Sequence, residues 1–242
     1  MLDRARHLDQ LRRDGERLLA VAGGALDAAV PTCPGWTVAD LVAHTARVHH
    51  AIAAQVRERA TGPVPRDEVP AAPGPDAVVD FGAAALDTVV AALADVDPAE
   101  PLWTWGPTPT AAFYIRRAAH ETTIHRVDAE AAVDAVTPVD ADVAVDLVDE
   151  LYDTVVPHAR RREPLRLPAA TLHLHRTDGE GEWLLAADGD RIVMTHEHAK
   201  GDAAARGSAS DLATALWGRP GRDRLEIFGD ETVFDAWAAL AP

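Results

Sequence analysis

Arg117-Ala118-Ala119-His120-Glu121-Thr122-Thr123-Ile124-His125 reads as helix, and its polar side decides how the rest of the chain is read. Glu121 and His125 stand four residues apart, so both side chains leave one helical face and can reach a single point. Tyr114, Arg117 and Asp128 extend that polar line at three- and four-residue intervals, and Phe113, Ile124, Val127 and Ala131 run beside it. A polar line flanking an apolar one is what an interior polar pocket needs, although a half-exposed helix has much the same pattern. His44 lies far away in sequence, in a second predicted helix. If the two helices pack together, two imidazoles and one carboxylate surround an open position. That is the ligand set of a catalytic zinc or a similar divalent metal. The competing reading of Glu121 and His125 is a solvated pair that stabilises its own helix by roughly 0.2–0.5 kcal/mol. For His44 it is a core histidine hydrogen-bonded to its neighbours.

The helix carrying His44 has a clear start. Pro31-Thr32-Cys33-Pro34-Gly35 is a turn, Thr37 is the N-cap, and Asp40 three residues on completes a capping box. Trp36 can pack on Leu41 as a hydrophobic staple. Leu41, His44, Val48 and Ile52 then share one face, which puts His44 on the core stripe. A first helix, with Leu8, Leu11, Leu18, Leu19 and Val21, is placed before Gly23-Gly24. After a Pro/Gly/Ala-rich loop at 61–75 comes a third helix, ended by Asp97-Pro98. The Glu121/His125 helix is the fourth, and a fifth follows Thr137-Pro138 with Val143, Leu147, Leu151 and Val155 at helical spacing.

After Pro157 the pattern changes. Thr171–Arg176, Glu182–Ala187 and Arg191–His196 read as strands joined by Asp-Gly turns. Ser208–Trp217 reads as helix, Arg224–Phe228 as strand and Glu231–Leu240 as a last helix. The expected fold is α+β: a helical domain over residues 1–158, then a small α+β domain over 165–242.

Composition narrows the function. The 242 residues carry a formal net charge of −16, which argues against nucleic acid and anionic membrane surfaces as partners. No stretch approaches the roughly 18 uninterrupted apolar residues of a membrane span. The opening Met1-Leu2-Asp3-Arg4-Ala5-Arg6-His7 has no apolar signal core. One cysteine, Cys33, allows no internal disulfide, so a cytoplasmic setting is expected. Oligomeric state is not legible.

Other residues compete for roles. Cys33 lies eleven positions before His44, and the helical part alone spans about 12 Å, so it is read as a small apolar residue in the turn. His49 and His50 face away from His44 and read as surface residues. His120 points off the Glu121/His125 line and reads as structural, while Asp128 could orient His125. His173/His175 and His196/His198 are i, i+2 pairs that read as exposed strand faces, because no carboxylate or cysteine accompanies them at ligand spacing. Arg219, after the helix ending at Trp217, could grip a substrate carboxylate. It could equally complement the helix dipole.

Val30-Pro31-Thr32-Cys33-Pro34-Gly35-Trp36-Thr37-Val38-Ala39-Asp40-Leu41-Val42-Ala43-His44 resembles the opening motif of the mycothiol-dependent maleylpyruvate isomerase family. His120-Glu121-Thr122-Thr123-Ile124-His125-Arg126-Val127-Asp128-Ala129-Glu130 resembles its second motif, and the segment from Ser210 to Arg219 is similar to its C-terminal domain. The resemblance implies a DinB-like four-helix bundle followed by an α+β domain. It implies His44, Glu121 and His125 as metal ligands, zinc as the ion and mycothiol as thiol co-substrate. It gives Arg219 a catalytic role, with Arg222 a competitor. The expected chemistry is attack of a metal-activated thiol on a small electrophilic substrate, as isomerase or S-transferase. Metal-activated water and hydrolysis, or a non-catalytic metal- or small-molecule-binding protein, are the rivals on the same ligands.

Overall fold

The computed structural model describes residues 2–159 and 166–242. The chain divides into two compact units, Met1–Thr137 and Pro138–Pro242.

The first unit holds four long helices: α1 (Arg4–Ala25), α2 (Val38–Arg57), α3 (Pro75–Asp95) and α4 (Ala111–Ala131). α1 and α2 each pack against both α3 and α4. Asp3 caps α1, its carboxylate accepting from the Arg6 amide at 2.8 Å. α1 runs through Gly23-Gly24, beyond its expected end. Burial of Leu18 and Ala22 beside the glycines outweighs their helix penalty, about 1 kcal/mol each. Two other glycines let the helices approach closely. A Cβ on Gly15 would lie 2.6 Å from Leu86, and one on Gly82 would lie 2.7 Å from Leu19 and 2.9 Å from Val42. α3 has the length and composition to cross a membrane, yet its Val78, Leu86, Val89 and Leu93 are buried in the bundle core.

α4 is unlike its neighbours. Seventeen of its 21 residues are buried, and they include His120, Thr122, Thr123, His125, Arg126, Asp128 and Glu130. Buried polar groups need partners. Thr122 and Thr123 donate back to the carbonyls of Ala118 and Ala119, and the His120 ring meets His7 edge-on at 5.7 Å.

The second unit begins earlier than expected. α5 (Ala141–Glu150) continues through a π-helical turn (Leu151–Val155) into α6 (Val156–Ala159). The sequence reading attached this helix to the bundle. Within the second unit, the Leu147 carbonyl accepts from Trp217 Nε1 at 3.1 Å, and Asp149 accepts from Trp183 Nε1 at 2.8 Å. Residue 165, the expected start of the α+β domain, lies outside the described residues.

Five strands follow: β1 (Leu172–Arg176), β2 (Glu182–Asp188), β3 (Arg191–Thr195), β4 (Ala203–Gly207) and β5 (Glu226–Phe228). They order as β3-β2-β1-β4-β5, with β1 and β4 parallel and the other pairs antiparallel. Leu172, Leu174, Trp183, Leu185, Ala203 and Ala205 are buried, and the alternate residues take the other face. α7 (Ala209–Leu216) and α8 (Glu231–Ala238) pack against this sheet. β4 was not expected, because Ala-Ala-Ala-Arg-Gly has poor strand propensity. Its alanines lie where both helices close on the sheet.

Candidate metal centre

The capping box forms as expected. Thr37 Oγ1 accepts from the Asp40 amide, and the Asp40 carboxylate accepts from the Thr37 amide at 3.0 Å. These bonds hold the Asp40 carboxyl below its usual range. The cap fixes the start of α2, and His44 follows two turns on. α4 supplies the other donors.

His44 Nε2 and His125 Nε2 each stand 3.2 Å from the same oxygen, Glu121 Oε1. All three donor atoms lie within 4.8 Å of one another. Three ligands held by one tetrahedral zinc at about 2.0–2.2 Å stand about 3.3–3.6 Å apart, so the donor set fits the ion in kind and spacing. Arg117 engages Glu121 Oε2 from one turn earlier, leaving Oε1 to face the imidazoles. Behind His125, Asp128 Oδ2 meets Nδ1 at 2.9 Å, which directs Nε2 toward the shared point. The orienting role considered for Asp128 therefore has its geometry.

Electrostatics follow from these contacts. Burial pushes the Glu121 carboxyl up, but Arg117 and the two imidazoles outweigh it and hold it well below the carboxylate range. Burial pushes His125 down, but Glu121 and Asp128 raise it to about 9. A cation would compete with that imidazolium proton for the same lone pair, so its binding here would release a proton.

The site opens on the His44 side. That side chain is 39% exposed, against 18% for Glu121 and 10% for His125. Trp36 flanks it, with ring centroids 5.0 Å apart. Two neighbouring cavities reach the donors and share Val48, Ala51 and Val64 in their walls. One, of about 1190 Å³, is lined by His44, Trp36, Arg47 and Arg66 among others. The other, of about 370 Å³, is walled by Trp103, Trp105 and Tyr114 and reaches Arg117 and Glu121.

Two sequence readings are corrected. Cys33 is a partly buried turn residue beside Val30 and Leu41, but it is not remote from the centre. Ala29 and Thr37 bridge antiparallel, and the chain reversal between them carries Thr32 Oγ1 to 2.6 Å and Cys33 Sγ to 3.7 Å from Asp128. A length measured along the helix could not register that reversal. His49 is not a surface residue: it is buried, with Nε2 2.8 Å from Thr122 Oγ1. The Thr122 hydroxyl already donates to Ala118, so His49 Nε2 carries the proton. His49 Nδ1 has no hydrogen-bond partner among the described residues.

Burial, the leading cause, therefore lowers the His49 pKa from 6.5 to about 4. Above pH 6.5 the imidazole is neutral in folded and unfolded chains alike. Below it the unfolded chain binds a proton that the folded chain refuses. Stability is thus lost as pH falls toward 4, by on the order of 3 kcal/mol. His49→Gln keeps a donor for Thr122 and is expected to flatten the decline of the urea midpoint between pH 6.5 and 4.5. An unchanged slope would remove His49 as its source.

In the second unit, Arg219 Nη1 donates to the Trp217 carbonyl at 2.6 Å, at the end of α7. Arg222 is committed to α8, pairing with Glu231 at 2.9 Å and Asp235 at 3.0 Å and lying over Phe234. His196 and His198 lie beyond the end of β3 and part company. His196 meets Asp149 at 2.8 Å, and His198 meets Glu182 at 3.3 Å.

The mycothiol maleylpyruvate isomerase N-terminal domain family matches residues 8–130, and the MDMPI C-terminal domain family matches residues 142–236. A crystal structure of a mycothiol-dependent maleylpyruvate isomerase aligns over 93% of each chain, with a TM-score of 0.66 and 18% identity. That of a histidine-to-alanine mutant aligns over the same shares, with a TM-score of 0.67 and 17% identity. Identity this low speaks for the shared fold alone. No curated protein matches the chain significantly.

Proposed function

The chain belongs to the mycothiol-dependent maleylpyruvate isomerase family, and from that premise we propose a metal-dependent enzyme that uses mycothiol to attack a small electrophile, as isomerase or S-transferase. The observation that carries the reading is the convergence of His44 Nε2 and His125 Nε2 on Glu121 Oε1, with Asp128 behind and two cavities in front. His44, Glu121 and His125 would hold the ion, with zinc first by donor set. When bound, a divalent cation supplies the positive charge that keeps a thiol ionised at neutral pH, where a free thiol is mostly protonated.

The chain's own residues do the rest. Arg117 fixes Glu121, and Asp128 fixes the tautomer of His125, so neither donor reorganises during reaction. The larger cavity, with polar and charged walls, suits the thiol. The smaller one, walled by aromatic rings, suits the electrophile and limits water around the reacting carbon. The thiolate sulfur adds to a carbon of a conjugated double bond, and the electron pair moves to the substrate carbonyl. The former double bond is then single and rotates. In an isomerase the pair returns, the double bond re-forms in the other geometry, and the thiolate leaves. In a transferase the enolate takes a proton and the thioether is the product.

The test is turnover of maleylpyruvate and of simpler conjugated electrophiles by the full chain, with and without mycothiol and with a chelator. Turnover is expected only with thiol and metal together. Thiol-independent hydrolysis, or activity indifferent to the chelator, would overturn the reading.

Arg219 is given its catalytic role by the family resemblance, while its bond to Trp217 also serves a helix end. Arg219→Ala separates the two roles. A residue gripping a substrate carboxylate is expected to raise KM about 10–100-fold on removal. Unchanged kinetics, with a stability loss of about 0.3–1 kcal/mol, would make it a helix-end charge only.

A further inference from the structure

The second unit gathers three histidines around one carboxylate. β1 sends Leu172 and Leu174 into the core, so His173 and His175 stand together on the opposite face. β2 runs antiparallel beside it, and the register sets Glu182 directly across from His175. His173 Nε2 lies 2.6 Å from Glu182 Oε2, and His175 Nδ1 lies 2.5 Å from Oε1. His198, from the segment after β3, brings Nδ1 to 3.3 Å from Oε1. The three ring centroids are 5.1 to 6.4 Å apart.

These distances correct the reading of the histidines as bare strand faces. That reading rested on the lack of a carboxylate at ligand spacing, and the strand register supplies one. A single carboxylate thus faces three imidazoles, from β1 and from the segment after β3. At 2.5 to 2.6 Å the ring nitrogens of His173 and His175 donate N–H to the acceptor-only carboxylate, and a cation bound at this point would take the place of such protons. The donor atoms of His173, Glu182 and His198 lie within 4.8 Å of one another. Two imidazoles and a carboxylate form a zinc-type set that leaves a position for water.

We propose that His173, Glu182 and His198 form a second divalent-cation site, independent of the bundle centre. His175 is its positioning residue, holding the Glu182 carboxylate from the side. The cation fastens the segment after β3 to β1 and β2. Zinc fits the donors, and imidazole ligands also suit nickel and copper.

The experiment titrates the metal-free full chain with Zn(II) alone and counts bound zinc by elemental analysis. Co(II) serves as an absorbance probe of coordination. Two zinc ions per chain are expected, of which His44→Ala removes one and His198→Ala the other. The His198 side chain is 77% exposed, so its loss leaves the fold intact. Glu182→Gln is expected to weaken the second zinc at least about 100-fold, and His175→Ala by about 10–100-fold. If one zinc binds, lost in His44→Ala and untouched by His198→Ala and Glu182→Gln, the second site does not exist and the bundle centre stands. If one zinc binds, lost in His198→Ala and untouched by His44→Ala, the second site stands and the bundle centre falls.

Discussion

His44→Ala is expected to empty the bundle centre of metal and to lower thiol-dependent turnover at least about 10³-fold, a loss of about 4 kcal/mol in transition-state stabilisation. Of the three donors, His44 is the one whose removal reads most cleanly. Its side chain is the most exposed of the three and rests against Trp36 at the cavity wall, so truncation opens no hole in the core. His125→Ala would take from the buried Asp128 its imidazole partner, and Glu121→Ala would do the same to the nearly buried Arg117. Both would mix a folding defect with the loss of a ligand. For His44→Ala, the thermal midpoint should stay close to that of the metal-free parent while bundle-site metal and turnover vanish together. Unchanged zinc content, or turnover within tenfold of the parent, would mean that these three residues do not form the working centre.

What the sequence revealed was mostly local. The Thr37/Asp40 capping box and the Glu121/His125 line depend on contacts three or four residues apart, and both form. Whether His44 would meet Glu121, 77 positions away, was in neither pattern alone; the two family-like motifs joined them. His49 escaped because an amphipathic stripe assigns one buried face to a helix. α2 packs against both α3 and α4, so the side holding His49 is buried too. Periodicity at Val143, Leu147 and Leu151 said that a helix buries one face, but not that α7 packs against it. Glu182 was silent for a related reason. A residue's neighbour across a sheet depends on register, and no spacing along the chain encodes it.

Glu130→Ala is expected to destabilise the fold by about 3–5 kcal/mol. Glu130 is fully buried near the end of α4. Its carboxylate accepts from Arg126 Nη1 at 2.8 Å, from the Thr137 amide at 2.8 Å and from Arg17 Nε at 2.8 Å. Arg126 is itself buried, and truncating Glu130 leaves it with Asp14 at 3.3 Å and the Thr137 carbonyl at 2.7 Å. A desolvated guanidinium that has lost a carboxylate is far costlier than a broken surface pair, which is worth about 0–1 kcal/mol. Urea unfolding would measure the difference. Glu130→Gln, which keeps an acceptor for Thr137, should fall between parent and Ala. Pairing Glu130→Leu with Arg126→Met should cost less than the two changes summed, because the loss of their mutual contact is then counted once. Near-additive losses would mean that the two groups are stabilised separately. α4 carries this network in the same turns as His125, so its polar line stays buried only while each charge on it has a partner. The helix that supplies two of the three donors is thereby fixed by contacts that touch neither of them.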